Sequence, residues 1–200
     1  NGRKNPYLYT VKCEIFDSTT QEVTDNIDIR TGLREYHIDS HKGFFLNGEH
    51  IKLQGVSRHQ DRENMGNAIT EKQHAEDVKI ILDVGANSVR LAHYQQNSYF
   101  YDLCDESGLL VWAEVPVISR FSPKRNENAE QQLVELIKQN YNHPSIFCWG
   151  IENEITIAGS ASKKLITFLK HMHKVARPLD PTRYTTCAQL TMCLVNSPLN

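Results

Sequence analysis

Three consecutive residues, Glu152-Asn153-Glu154, carry the strongest chemical signal in this chain. They follow the nearly apolar run Ser145-Ile146-Phe147-Cys148-Trp149-Gly150-Ile151, which reads as a buried strand. A carboxyl group held at such a strand end against apolar walls, Trp149 among them, has its charged form disfavoured, which suits a general acid. Strict alternation sends Glu152 and Glu154 to one side and Asn153 to the other. A strand that stops near Glu152 instead lets Asn153 and Glu154 both tip toward the strand ends. The bland alternative is a surface loop with two solvated carboxylates, and acidic strand ends are common enough to keep it open.

Polar residues also close three earlier runs: Ser57-Arg58-His59-Gln60-Asp61, then Arg90-Leu91-Ala92-His93-Tyr94, then Glu114. Four such clusters at the same end of four strands fit the place where parallel α/β folds build their sites. His59 and His93 could ligate a metal, hydrogen-bond a substrate or be satisfied structural histidines. No tight ligand spacing supports the metal. Arg90, on an apolar strand, is costly unless a carboxylate pairs with it, so a buried ion pair is its default role. Trp112 and Trp149 read as core, with an aromatic platform under a sugar ring as the alternative. His171 and His173, beside Lys170 and Lys174, read as a solvated helix face.

The elements that position these residues change character near residue 36. Residues 5–16 alternate with period two, Asp17-Ser18-Thr19-Thr20-Gln21 supplies turn chemistry, and residues 22–30 can return antiparallel. A two-stranded hairpin is marginal alone, so residues 1–36 are expected to be the last part of a β-sandwich. From 37 to 200, strands and helices alternate. A short hairpin turning at Asn47-Gly48 leads into the run 51–56. A helix capped by Thr70 and Gln73 runs to Val84 and stops at Gly85. Further helices are expected at 98–106 with Gly108 as stop, at 128–139, and at 160–176 ending before Pro178. Strands fall between them, and a fifth covers 184–188. Nearly apolar strands between helices mean an α/β fold with a parallel sheet covered on both faces. No glycine-rich phosphate loop follows a strand, so a doubly wound nucleotide binder lacks its fingerprint. A (β/α)8 TIM barrel needs ~250 residues, and only its first half fits here.

Composition narrows the classes further. Twenty-two Lys and Arg stand against 24 Asp and Glu, a net charge of −2, which offers nucleic acid no footprint. No run reaches the ~18 apolar residues that span a membrane. The five cysteines, Cys13, Cys104, Cys148, Cys187 and Cys193, are scattered and read as buried thiols. The chain opens Asn1-Gly2-Arg3 without Met, so it is expected to be a piece of a longer protein.

These same stretches resemble family 2 glycoside hydrolases, which include β-galactosidases, β-glucuronidases and β-mannosidases. The resemblance rests on Gly43-Phe44-Phe45-Leu46-Asn47-Gly48 with Leu53-Gln54-Gly55-Val56-Ser57-Arg58-His59, and on Gly85-Ala86-Asn87-Ser88-Val89-Arg90-Leu91-Ala92-His93-Tyr94. It continues through Asn142-His143-Pro144-Ser145-Ile146-Phe147-Cys148-Trp149 to Asn153-Glu154. Asn5-Pro6-Tyr7-Leu8-Tyr9 is similar to the end of the family's immunoglobulin-like domain, which would make the β-sandwich of residues 1–36 immunoglobulin-like.

The resemblance implies that Glu154 is the general acid/base and that Asn153 hydrogen-bonds the sugar 2-hydroxyl. Arg90 would orient a nucleophile carboxylate, while His59, His93 and Asp61 would line the sugar pocket. The nucleophile itself would lie on a later strand, beyond this chain, and Glu152 is too close to the acid to replace it. Ile118 and Arg120 stand where some family members place magnesium ligands, and neither supplies an oxygen, so no metal and no cofactor are expected. The motifs at His59 and His93 look most like the β-galactosidase branch, so the expected partner is a β-galactoside or oligosaccharide. The remainder of the parent chain, or a homo-oligomer, would be needed for activity. The rivals are a β-glucuronidase or β-mannosidase of the same family and, from a different class, a non-catalytic carbohydrate-binding module.

Overall fold

The computed structural model describes residues 4–157 and 162–189. Strands β1 (Tyr9–Phe16) and β2 (Val23–Thr31) form the expected antiparallel hairpin, running from the pair Tyr9↔Thr31 to Phe16↔Val23. Asp17 builds its turn by accepting the backbone N–H groups of Thr19 and Thr20, each at 2.8 Å. The ribbon is exposed on both faces, with Ile15 62% and Ile27 60% accessible. Cys13 lies on this ribbon and is exposed, which corrects its expected burial. Cys104 and Cys148 are buried, Cys187 is half-buried, and Cys193 falls outside the described residues.

Next comes a three-stranded antiparallel meander of β3 (Tyr36–Asp39), β4 (Gly43–Leu46) and β5 (Glu49–Ile51). The apolar run 51–56 is not one strand: β5 ends at Ile51 and β6 (Gly55–Arg58) begins a different sheet. Between them the chain turns on Asn87. The Asn87 amide donates to the Lys52 carbonyl at 2.9 Å and accepts the Gln54 N–H at 2.8 Å.

The main sheet is parallel and five-stranded. Its order is β6, β7 (Ser88–Leu91), β8 (Leu110–Glu114), β9 (Ile146–Asn153), β10 (Tyr184–Ala188), each strand paired with the next in sequence. Four helices connect these strands. α1 (Glu71–Asp83) starts in the Thr70–Gln73 capping box, and the Gly85 that follows it has φ +81°. α2 (Ser98–Ser107) is capped by the Asn97 side chain and ends at Gly108, whose φ of +67° suits glycine. α3 covers Asn126–Asn140 and α4 covers Lys163–Leu179. α4 passes through Pro178 instead of stopping before it. A proline in a last turn forfeits a single backbone bond, and the Asp180 N–H closes the helix on the Ala176 carbonyl at 2.9 Å.

The core fills the space between this sheet and its helices. Val89, Leu91, Val111, Ala113, Ile146 and Trp149 from the strands meet Phe100, Leu133, Leu136, Leu165 and Met172 from the helices. A smaller cluster, Phe44, Leu46, Leu110, Phe147 and Cys148, packs the meander against the strands' N-terminal ends. Two arginines tie the same end together. Arg34 donates to the carbonyls of Pro144 (2.5 Å) and Ile146 (2.6 Å). Burial, with Arg183 nearby, pushes its guanidinium down to about 10. Arg183, 4% exposed, donates to the Ile146, Tyr141 and His143 carbonyls and to Asp180 at 2.7 Å.

Asp180 is the carboxylate bonded to this pair through Arg183, and Asp105 adds its field at Arg34. Burial pushes the Asp180 carboxyl up, but hydrogen bonds from Thr182, Arg183 and Trp149, with the Arg183 charge, outweigh that and hold it at about 2. Its stabilising contribution is therefore complete above the ordinary carboxylate value and is lost as pH falls through about 2. Asp180→Asn is expected to cost about 3–5 kcal/mol in urea unfolding, because it strands a buried cation. It should also flatten the loss of stability between pH 4 and 2; an unchanged acid limb would contradict the role given to Asp180.

Candidate active site

At the C-terminal ends of β7, β8 and β9, the side chains singled out in the sequence converge on one buried carboxylate. Val89 and Leu91 face the helices, so Arg90 between them faces the other side of the sheet. There its Nε hydrogen-bonds Glu114, which is fully buried, and its guanidinium lies 4.8 Å above the Trp112 ring. Arg90 Nη2 donates to Asn153 Oδ1 at 2.6 Å. His93 Nδ1 lies 3.0 Å from the second oxygen of Glu114 and 3.3 Å from Arg90 Nη2. A protonated Nδ1 satisfies this geometry, because histidine and arginine then both donate to Glu114. The His59 ring meets the His93 ring edge to face at 5.1 Å and the Tyr94 ring at 5.9 Å.

Glu114 reaches this position because its partner in register is Gly150. A Cβ on Gly150 would lie 2.4 Å from Trp112 Nε1 and 2.6 Å from Glu114 Cγ. The absence of a side chain there makes room for both.

Beyond Gly150 strict alternation fails. Thr186 and Cys187 of β10 pair with Gly150 and Glu152, so Ile151 is an extra residue, a β-bulge. The bulge shifts the phase of the strand by one and brings Asn153 to Arg90 instead of leaving it with Trp149 and Ile151. Glu152, 2% exposed, turns its carboxylate to the Ile155 N–H at 3.1 Å and bonds the Cys187 thiol. Burial pushes the Glu152 carboxyl up. Glu154 follows with φ +47°, its N–H on the Ala188 carbonyl and its carbonyl accepting from Ile157. Its carboxylate has no hydrogen bond or ion pair among the described residues.

Of the residues singled out, His59, Arg90, His93, Asn153 and Glu154 share this end of the sheet. Asp61 is exposed, two residues past His59, and makes no contact with the cluster. Trp149 is not a wall for Glu154: it is fully buried on the helix side and donates to Asp180 at 2.9 Å. Arg58 also faces the helices, pairing with Asp77 at 2.7 Å over the Phe100 ring. His171 pairs with Glu130 and His173 with Thr185 on the exposed face expected for them. The residue that sequence reasoning passed over is Glu114, seen as a strand end and given no role, although an arginine on the apolar strand β7 demanded a carboxylate.

One group among the described residues has metal-ligand proximity: Asp102, Asp105 and His143. Its atoms are already engaged, Asp102 with Arg30 at 3.1 Å, and Asp105 with His143 at 2.6 Å and the Ser145 N–H at 3.0 Å. These contacts lock the chain that enters β9, away from Glu154.

Residues 38–197 match the TIM barrel domain of the glycosyl hydrolases family 2. The chain belongs to glycoside hydrolase family 2. It is 43% identical over 197 residues to a beta-glucuronidase of Bacteroides fragilis, covering 94% of this chain and 28% of that protein. A beta-galactosidase of Thermoanaerobacter pseudethanolicus is 34% identical over 183 residues, covering 90% and 24%. The crystal structure of an FMN-binding beta-glucuronidase from Facaelibacterium prausnitzii L2-6 superposes with a TM-score of 0.94 at 44% identity, over 100% of this chain and 31% of that one. The chain thus spans about a quarter of the length of the curated relatives it matches, and its parallel sheet is a portion of a family 2 barrel. Relatives named for two different sugars do not single out the galactosidase branch.

Gly150→Ala tests the packing that seats Glu114. Overpacking of this kind is expected to cost about 1–3 kcal/mol. The urea midpoint should fall, and Gly150→Val, with a larger side chain at the same position, should lower it further. An unchanged midpoint in Gly150→Ala would remove the packing argument.

Proposed function

We propose that this chain carries the acid/base half of a retaining β-glycosidase site. The observation that carries the reading is the fixed Asn153–Glu154 pair. Arg90 occupies the Asn153 carbonyl oxygen, so the amide nitrogen is left to donate to a sugar hydroxyl. His93 likewise gives its Nδ1 proton to Glu114, which leaves Nε2 as an acceptor. Glu154, unengaged beside them, protonates the glycosidic oxygen as the bond breaks and then takes a proton from the water that completes hydrolysis. Asp61, at the end of β6, serves the substrate from further out.

Retention requires a second carboxylate about 5–5.5 Å away as nucleophile. We assign it to a later strand of the parent barrel, because Glu152 is committed to Ile155 and Cys187. The remaining strands, or a second copy, would also cover β6 and β10, which lack outer partners among the described residues. The apolar ribbon of β1 and β2 fits the tail of an immunoglobulin-like sandwich for the same reason. Hydrolysis between two carboxylates needs no redox group, and Ile118 and Arg120 offer no oxygen to a magnesium ion, so the reaction proposed uses neither cofactor nor metal. The substrate is a β-glucuronide first, since the relatives of highest identity described above carry that name, and a β-galactoside second.

The test uses the full-length protein that contains these residues, with nitrophenyl β-glucuronide and β-galactoside side by side. Glu154→Ala is expected to lower kcat about 10²–10⁴-fold with a poor leaving group. With a dinitrophenyl leaving group, which departs without protonation, glycosylation should survive, and azide should restore turnover. Loss on both leaving groups with no azide rescue would take the acid/base role from Glu154.

A further inference from the structure

The loop after β8 and the first turns of α3 and α4 enclose a cleft that begins beside the catalytic pair. Ile155, next to Glu154, is in its wall. Its other wall is the loop strand 117–119, hydrogen-bonded along Asn153, with Asn153 N–H on Val117 at 2.8 Å and Ser119 N–H on Asn153 at 2.9 Å. An inner and an outer part, both open to solvent, share Phe121, Asn126 and Phe168. The Phe121 and Phe168 rings, 5.6 Å apart, form the common floor.

The lining is one-signed. Arg120 and Arg125 stand in the inner part, Lys163 and Lys164 in the outer, and no Asp or Glu lines either part among the described residues. None of these four cations has an ion pair among the described residues, although acidic residues outnumber basic ones in the chain, 24 to 22. Lys163 and Lys164 also open α4, where positive charge opposes the helix dipole, and no acidic residue offsets them in that turn. Helix stability therefore does not account for their placement.

We infer that this cleft is a leaving-group subsite for an anionic saccharide, a sugar unit bearing a carboxylate or sulfate next to the bond being cleaved. The inference rests on the acid/base reading of Glu154, and its link to that residue is the cleft wall itself, Ile155 next in sequence and the strand 117–119 bonded to the Asn153 backbone. Arg120 and Arg125 offer planar forks to an oxyanion, the lysines extend the same field outward, and the half-buried Phe121, packed on the buried Phe168, takes the apolar face of a sugar ring.

Binding tests this independently of catalysis. The full-length protein is titrated calorimetrically with a galacturonic acid tetrasaccharide, a chondroitin sulfate tetrasaccharide and cellotetraose. One or both charged ligands should bind, cellotetraose should not, and 0.5 M NaCl should weaken the binding. The two charged arms separate carboxylate from sulfate. In R120A/R125A, affinity should fall about 10-fold or more, the loss of charge-assisted hydrogen bonds. K163A/K164A should weaken binding less, and nitrophenyl glycoside turnover should stay within about 2-fold, reporting that the site is still folded. Equal binding of cellotetraose, no binding of either charged ligand, or a parallel fall in nitrophenyl turnover overturns the subsite. Charged binding that persists while Glu154→Ala keeps full activity would instead overturn the acid/base reading and leave the anion site standing.

Discussion

A carboxylate with no solvent access must be compensated, and Glu114 is compensated by the Arg90 guanidinium on one oxygen and the His93 ring on the other. Much of the candidate site follows from that demand. Arg90 must reach across from β7, so Trp112 lies beneath it and Gly150 must lack a side chain. Once Arg90 is fixed, its free nitrogen fixes the Asn153 amide, and the second oxygen of Glu114 fixes the tautomer of His93. A buried pair of this kind adds little net stability, but breaking it is expensive, which is what gives the surrounding polar atoms a single arrangement.

The other end of the sheet is solved with the same residue type. Arg34 and Arg183 gather carbonyls from the segment entering β9, and Asp180 balances them. The chain leaving the hairpin is thereby stapled beneath the barrel strands, and Arg30 adds exposed contacts to Asp102 and Glu106 on α2. The strands are thus held by buried arginine networks at one end, while the chemistry at the other is left partly open.

Local signals were legible and long-range ones were not. Thr70 with Gln73, Gly85 and Gly108 mark helix limits through contacts within a few residues, and the structure places them where the sequence does. The break inside the run 51–56 depends on Asn87, more than thirty residues away, so no local pattern reports it. The Ile151 bulge is a property of hydrogen-bond register with β10 and leaves no trace in the order of polar and apolar residues. Trp149 precedes the bulge, and plain alternation already puts it on the side of the sheet opposite Gly150, while Glu114, forty residues from Glu154, is central to the site through its register with Gly150. Pro178 misled because the bond it forfeits does not end the helix: the Asp180 N–H still closes on the Ala176 carbonyl beyond it.

The bulge at Ile151 makes the site depend on strand register as well as composition. A side-chain change near residue 151 alters a contact, but pulling the same residues into a regular ladder would exchange the faces of everything downstream. Asn153 would turn toward the helices, and Glu152, a carboxylate with other partners, would swing toward Arg90. The pairing of β10 with β9 therefore does more than extend the sheet: it decides which of two neighbouring polar side chains is presented at its C-terminal end.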